Sequence, residues 1–119
     1  ISKAGGISTF RNAVVVSEKA KNSKSSVSCE SLMLDDISRS DTVPAMDIRC
    51  ADADIGHEAR IGRISDDAVF YLMNRGISEE DARAMIVSGF ADNVSKELPL
   101  EYAVEMNNLI QLEMKGSIG

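Results

Sequence analysis

Tryptophan is absent from this 119-residue sequence, and aromatic residues of all kinds make up only 4% of it. So few flat side chains leave little to stack a single-stranded nucleic acid along a groove. Basic residues are in the minority too: thirteen Lys and Arg against nineteen Asp and Glu give a net charge of −6 at pH 7. That balance argues against a nucleic-acid backbone or an anionic membrane as partner. The two cysteines, Cys29 and Cys50, form no C-x-x-C pair and no zinc-finger spacing, and are too sparse for a secreted disulfide scaffold. There is no apolar run of membrane-spanning length and no basic-then-apolar leader at the start. A Gly-rich phosphate loop, a nucleophile elbow and an H-E-x-x-H pair are also missing, which places an enzyme last among the readings. These absences predict a reduced, cytoplasmic protein. The opening on Ile1, inside a Gly/Ser-containing run, reads as part of something longer.

What is present is an ordinary hydrophobic content of 44%, enough for one domain or pieces of two. Charge divides the chain. Up to Ile64 the acids and bases cancel, and the whole deficit lies from Ser65 onward, where only Arg75, Arg83, Lys96 and Lys115 are basic. A boundary near residue 64 follows, giving units 1–64 and 65–119.

The first unit reads as short strands separated by polar turns. Ala13 to Val16 is a β-branched run, and Val27 to Leu34 a strand covered on both sides or carrying a bulge. In Met46 to Cys50 apolar residues alternate with Asp47 and Arg49; Pro44 stands just before it, outside the ladder. Ile1 to Gly6 and Asp35 to Asp41 read as loops. No helical stretch is long enough for a βαβ crossover, which leaves a sandwich, an open sheet or a β-solenoid. The last strand, Ile55 to Ile61, holds the only histidine. Alternation puts His57 on one face with Ile55, Ala59 and Ile61, and Glu58 on the other with Arg60.

From Ser65 the spacing turns helical. Ser65 caps a first helix ended by Gly76, with Asp66 and Asp67 at its positive end. Ser78 caps a second, with an apolar stripe of Ala82, Met85, Ile86, Gly89 and Phe90. Pro99 opens a third at its first position, with a face of Tyr102, Ala103, Met106, Leu109, Ile110 and Met114, and Gly116 stops it.

Several of these stretches resemble one family. Gly56-His57-Glu58-Ala59-Arg60-Ile61-Gly62 is similar to the Glu-His-Glu-Ala stretch of the SufB/SufD family, the scaffold proteins of the SUF iron–sulfur cluster assembly machinery. The likeness runs on through Phe70 to Ala82, Ile86 to Phe90 and Glu97 to Glu105, and includes the ending Lys115 to Gly119. Upstream, Ser28 to Leu34 resembles the family's cysteine-bearing strand. The resemblance implies a mixed β and α fold: the end of a right-handed parallel β-helix, followed by a three-helix C-terminal subdomain. It implies a scaffold rather than an enzyme, on which a transient iron–sulfur cluster assembles, and no cluster is expected in this fragment in isolation. It implies a SufC-like ABC ATPase docking on residues 65–119, and a homodimer or heterodimer with a second scaffold subunit through the β-helix edge. Cys29 matches the family's cluster-ligand cysteine, His57 the histidine of the Glu-His-Glu tripeptide and Glu58 its second glutamate; these three are the candidate cluster and metal ligands. The chain departs from the pattern at Gly56, where the first glutamate is missing.

Each candidate also has a plainer reading. Cys29 serves as a small buried hydrophobe, as Cys50 does beside Met46 and Ile48. His57 is a hydrogen-bonded imidazole on a semi-apolar strand, and Glu58 a solvated carboxylate near Arg60. On those readings the chain is a structural module that dimerises and docks the ATPase without holding a cluster.

Overall fold

The structure is a computed structural model that describes residues 1–116. Ser117 to Gly119, part of the family-like ending, lie outside the described residues. Contacts divide the chain into two compact units, Ile1–Arg63 and Ile64–Gly119.

The first unit holds four ten-residue strands: β1 (Ile7–Val16), β2 (Lys24–Met33), β3 (Arg39–Ile48) and β4 (Asp54–Arg63). None pairs with its neighbour in sequence. β1 pairs with β3 and β2 with β4, both in parallel, in two separate two-stranded sheets. Parallel pairing normally needs a helical crossover. Here the strand of the other sheet makes the return, so Ile7 lies beside Arg39 and Lys24 beside Asp54. All four strands are longer than apolar alternation alone indicates, because Ser, Thr, Lys and Arg positions extend the ladders. Pro44 is a correction of the same kind. It sits inside β3, opposite Asn12, and β3 pairs only with β1. A strand with one free side tolerates a missing N–H.

The inward faces carry Asn12, Val14 and Val16 on β1 and Val27, Cys29 and Ser31 on β2. Val16, Cys29 and Leu32 are buried. The Ser40 hydroxyl of β3 donates to the Ser31 hydroxyl of β2 at 2.7 Å, tying one sheet to the other. The opening segment is not free loop. Ser2 bridges in parallel to Met33: its N–H donates to the Leu32 carbonyl, and its own carbonyl accepts from Leu34 N–H, both at 2.9 Å. Asp35 fastens the same corner. One carboxylate oxygen accepts from the backbone of Ile37 (3.0 Å) and Ser38 (2.7 Å), and the other accepts from Ala4 N–H. Ala4 and Gly5 are both left-handed there, at φ 53° and 76°. The Ser38 hydroxyl accepts from Gly5 N–H at 3.2 Å and completes the clasp. Hydrogen bonding led by the Ser38 side chain outweighs desolvation and holds the Asp35 carboxyl below its ordinary value.

The second unit is three helices, α1 (Asp66–Met73), α2 (Glu79–Ser95) and α3 (Leu100–Met114). Ser65 caps α1 by accepting from Ala68 N–H at 3.2 Å. Ser78 caps α2 through Asp81 N–H at 3.1 Å, while its own hydroxyl donates to the Asp81 carboxylate at 2.7 Å. The two bonds join the Ser78 hydroxyl to both the backbone and the side chain of Asp81. Pro99 takes the N-cap position of α3, not the first helical one. The stripe on α2 also needs correction. Its buried residues are Ala82, Ala84, Val87 and Ser95, whereas Met85 is half exposed and Gly89 exposed. α2 packs against both α1 and α3, so two sides of it are covered and a single stripe does not describe it. On α3 the inward set is Ala103, Met106, Ile110 and Met114, with Tyr102 and Leu109 left outside.

Candidate functional site

The parallel register of β2 and β4 decides which candidates meet. Val27 lies beside His57, Ser28 beside Glu58, Cys29 beside Ala59 and Glu30 beside Arg60. Partners in a parallel ladder share a face, and successive residues alternate. Cys29 and His57 therefore share the inward face, one step apart along the strands. Ala59, directly beside Cys29, has only a methyl group and leaves room for the imidazole to lean over. His57 Nε2 comes within 3.7 Å of Cys29 Sγ. The thiol is 9% exposed and the histidine half-buried.

That spacing can be compared with what a metal requires. With metal–sulfur and metal–nitrogen bonds of about 2.3 and about 2.05 Å in a tetrahedral site, the S···N edge is about 3.6 Å. Cys29 and His57 stand at that separation without any rotamer change. Thiolate and imidazole together suit iron, zinc or copper and not the hard ions that prefer oxygen. Two donors do not fill a coordination sphere. Among the described residues there is no group of three or more His, Cys, Asp or Glu placed to hold a metal ion.

Glu58 is elsewhere. It lies on the outer face, where Arg60 Nε and Nη2 donate to its Oε1 at 2.8 and 2.7 Å. The same guanidinium reaches toward Glu30 on β2, with Nη1 3.7 Å from Oε1. Its hydrogen bond to Glu58, then the charges of Glu58 and Glu30, raise the Arg60 pKa above its ordinary value. All three side chains are substantially exposed. The structure thus brings two of the three candidates together and leaves the third across the sheet. Glu30 is the residue that alternation within β4 could not reveal. Finding it needs the step of thirty residues between β2 and β4, which no local pattern carries. Cys50 is a buried free thiol two residues past the end of β3, so it does not share a strand face with Met46 and Ile48, which are exposed.

Residues 1–90 match the family described as the SUF system FeS cluster assembly SufBD core domain. The chain belongs to this family. Over all 119 residues it is 50% identical to the iron–sulfur cluster assembly protein SufB of Bacillus subtilis, of which it spans 26%. A SufBD family protein of Staphylococcus saprophyticus is likewise 50% identical, with 26% of its length spanned. One of Mycobacterium leprae is 48% identical, with 14% spanned. The chain therefore covers about a quarter or less of these curated relatives.

Proposed function

We propose that this part of a SufBD protein offers Cys29 and His57 as two donors on one edge of a site where an iron–sulfur cluster is assembled as cargo. The 3.7 Å Sγ···Nε2 separation carries the reading, because it matches the edge of a tetrahedral iron site. A thiolate binds iron strongly, and a neutral imidazole is a competent borderline ligand. Burial of the thiol keeps a nascent cluster away from solvent. Glu58 acts as an oxygen donor from the opposite face, toward a cluster shared with another subunit.

In the same reading β1 to β4 are two successive coils of a right-handed parallel β-helix, supported by parallel pairing at offsets of about thirty residues without crossover helices. The free edges of β3 and β4 take a second scaffold subunit, alike or different. The helical unit docks a SufC-like ABC ATPase, whose cycle drives the rearrangement that exposes the site. Leu100, Tyr102 and Val104 on α3, more than half exposed, are the apolar side chains such docking would cover. In this reading the chain itself performs no turnover chemistry and works in the cytoplasm.

The test is anaerobic reconstitution of the complete protein with iron and sulfide. Cys29→Ser should weaken cluster absorbance and lower bound iron and sulfide together. Unchanged iron and sulfide in that variant removes Cys29 from the site. ATPase capture that survives it alongside normal cluster assembly leaves only the docking module.

A further inference from the structure

The Glu58 carboxylate already has a cationic partner in the chain's own Arg60 guanidinium. We infer that Arg60 is a positioning residue for Glu58, fixing its carboxylate on the outer face and competing with any metal ion for it. This rests on the reading of Glu58 as an oxygen donor.

Three observations support the assignment. Arg60 meets one Glu58 carboxylate oxygen through two of its nitrogens, in charge-assisted contacts of 2.8 and 2.7 Å. Register places Glu30 across from Arg60, so the guanidinium is shared between two strands and cannot swing away without leaving both carboxylates. Alternation within β4 puts both Arg60 and Glu58 on the face away from Cys29 and His57. A metal ion held by Cys29 and His57 therefore does not draw on Glu58, and a cation that does use Glu58 comes from the outer face and meets Arg60 there. Release of Arg60 must precede or accompany any use of Glu58. The cost of that release is small, because ion pairs this exposed are weak. Arg60 is thus a gate that a cation opens by mass action and not a permanent block.

The experiment uses Mn²⁺ alone as probe on the complete protein, since this hard ion seeks carboxylate oxygen over thiolate. Its binding is read by the loss of free-ion EPR signal. Arg60→Gln should bind Mn²⁺ about two- to five-fold more tightly than the parent, the range an exposed pair converts to. Adding Glu58→Gln to that variant should return the affinity to the parent value. Arg60→Lys, which keeps the charge but loses the fork, should fall between the two. Alkylation of Cys29 should proceed at the parent rate in all three, showing that the inward face is intact. Equal Mn²⁺ affinity in Arg60→Gln and parent overturns the assignment, as does a gain that persists without Glu58. Failure of the cluster reading shows separately, as unchanged iron and sulfide in Cys29→Ser.

Discussion

Removing the imidazole of His57 should weaken metal binding at Cys29 without unfolding the strand that carries it. The structure sets the size of the effect. Sγ and Nε2 are 3.7 Å apart, within about 0.1 Å of the tetrahedral edge, so in the proposed reading neither side chain has to move to meet an ion. In His57→Ala water must replace a donor that was already positioned. Loss even of residues that only orient a ligand costs about 10- to 100-fold in metal affinity. Loss of the ligand itself should therefore cost at least tenfold, or about 1.4 kcal/mol. Cobalt(II) titration of the complete protein, followed by thiolate-to-cobalt charge-transfer absorbance, measures it directly. Cys29→Ser should abolish the band. His57→Ala should keep it but shift its midpoint at least tenfold. His57 is only half-buried, so urea unfolding should change little. A His57→Ala midpoint within twofold of the parent would refute the shared-edge geometry, as would a charge-transfer band that survives Cys29→Ser.

Other expectations concern the framework that holds the site. Val87 is 3% exposed on α2. Val87→Ala should cost about 1.5–2.5 kcal/mol in urea unfolding, from the lost methyl groups and the space they leave. Ser78→Ala, which removes the cap at the start of α2, should cost about 1 kcal/mol by the same measurement and reduce helicity there. The Asp35 carboxyl is held below its ordinary value, so its contribution is present above the unfolded pKa near 3.8 and is lost as pH falls through the lower folded value. Stability measured across the acid range should decline less steeply in Asp35→Asn than in the parent. An identical slope would mean the clasp on Ala4 and Gly5 does not form in solution.

The helical unit was largely legible from local signals. Ser65 and Ser78 cap where capping chemistry places them, because N-cap preferences depend on one side chain and the next few N–H groups. The faces of α2 were not legible, since a helix packed from two sides buries Ala84 and Val87 as well as Ala82. In the strands, alternation marks only the C-terminal end of β1 and of β3, where Met46 to Cys50 also overruns the strand, and covers most of β2 and β4. Pro44 falls inside β3, which was not legible because no sequence signal says which strand side lacks a partner. The site followed the same division. Opposite facing of His57 and Glu58 follows from period two alone. The approach of Cys29 to His57, and the reach of Arg60 to Glu30, depend on a register between residues about thirty positions apart.

The central claim is that Cys29 and His57 bind the same iron. Pulsed EPR on the reduced, reconstituted complete protein carrying ¹⁵N-histidine tests it most directly, with His57→Gln as the comparison. If Cys29 and His57 bind one iron, a nitrogen coupling in the parent disappears in His57→Gln while cluster content persists in reduced amount. A parent cluster with no histidine coupling, or a coupling untouched by His57→Gln, would contradict it.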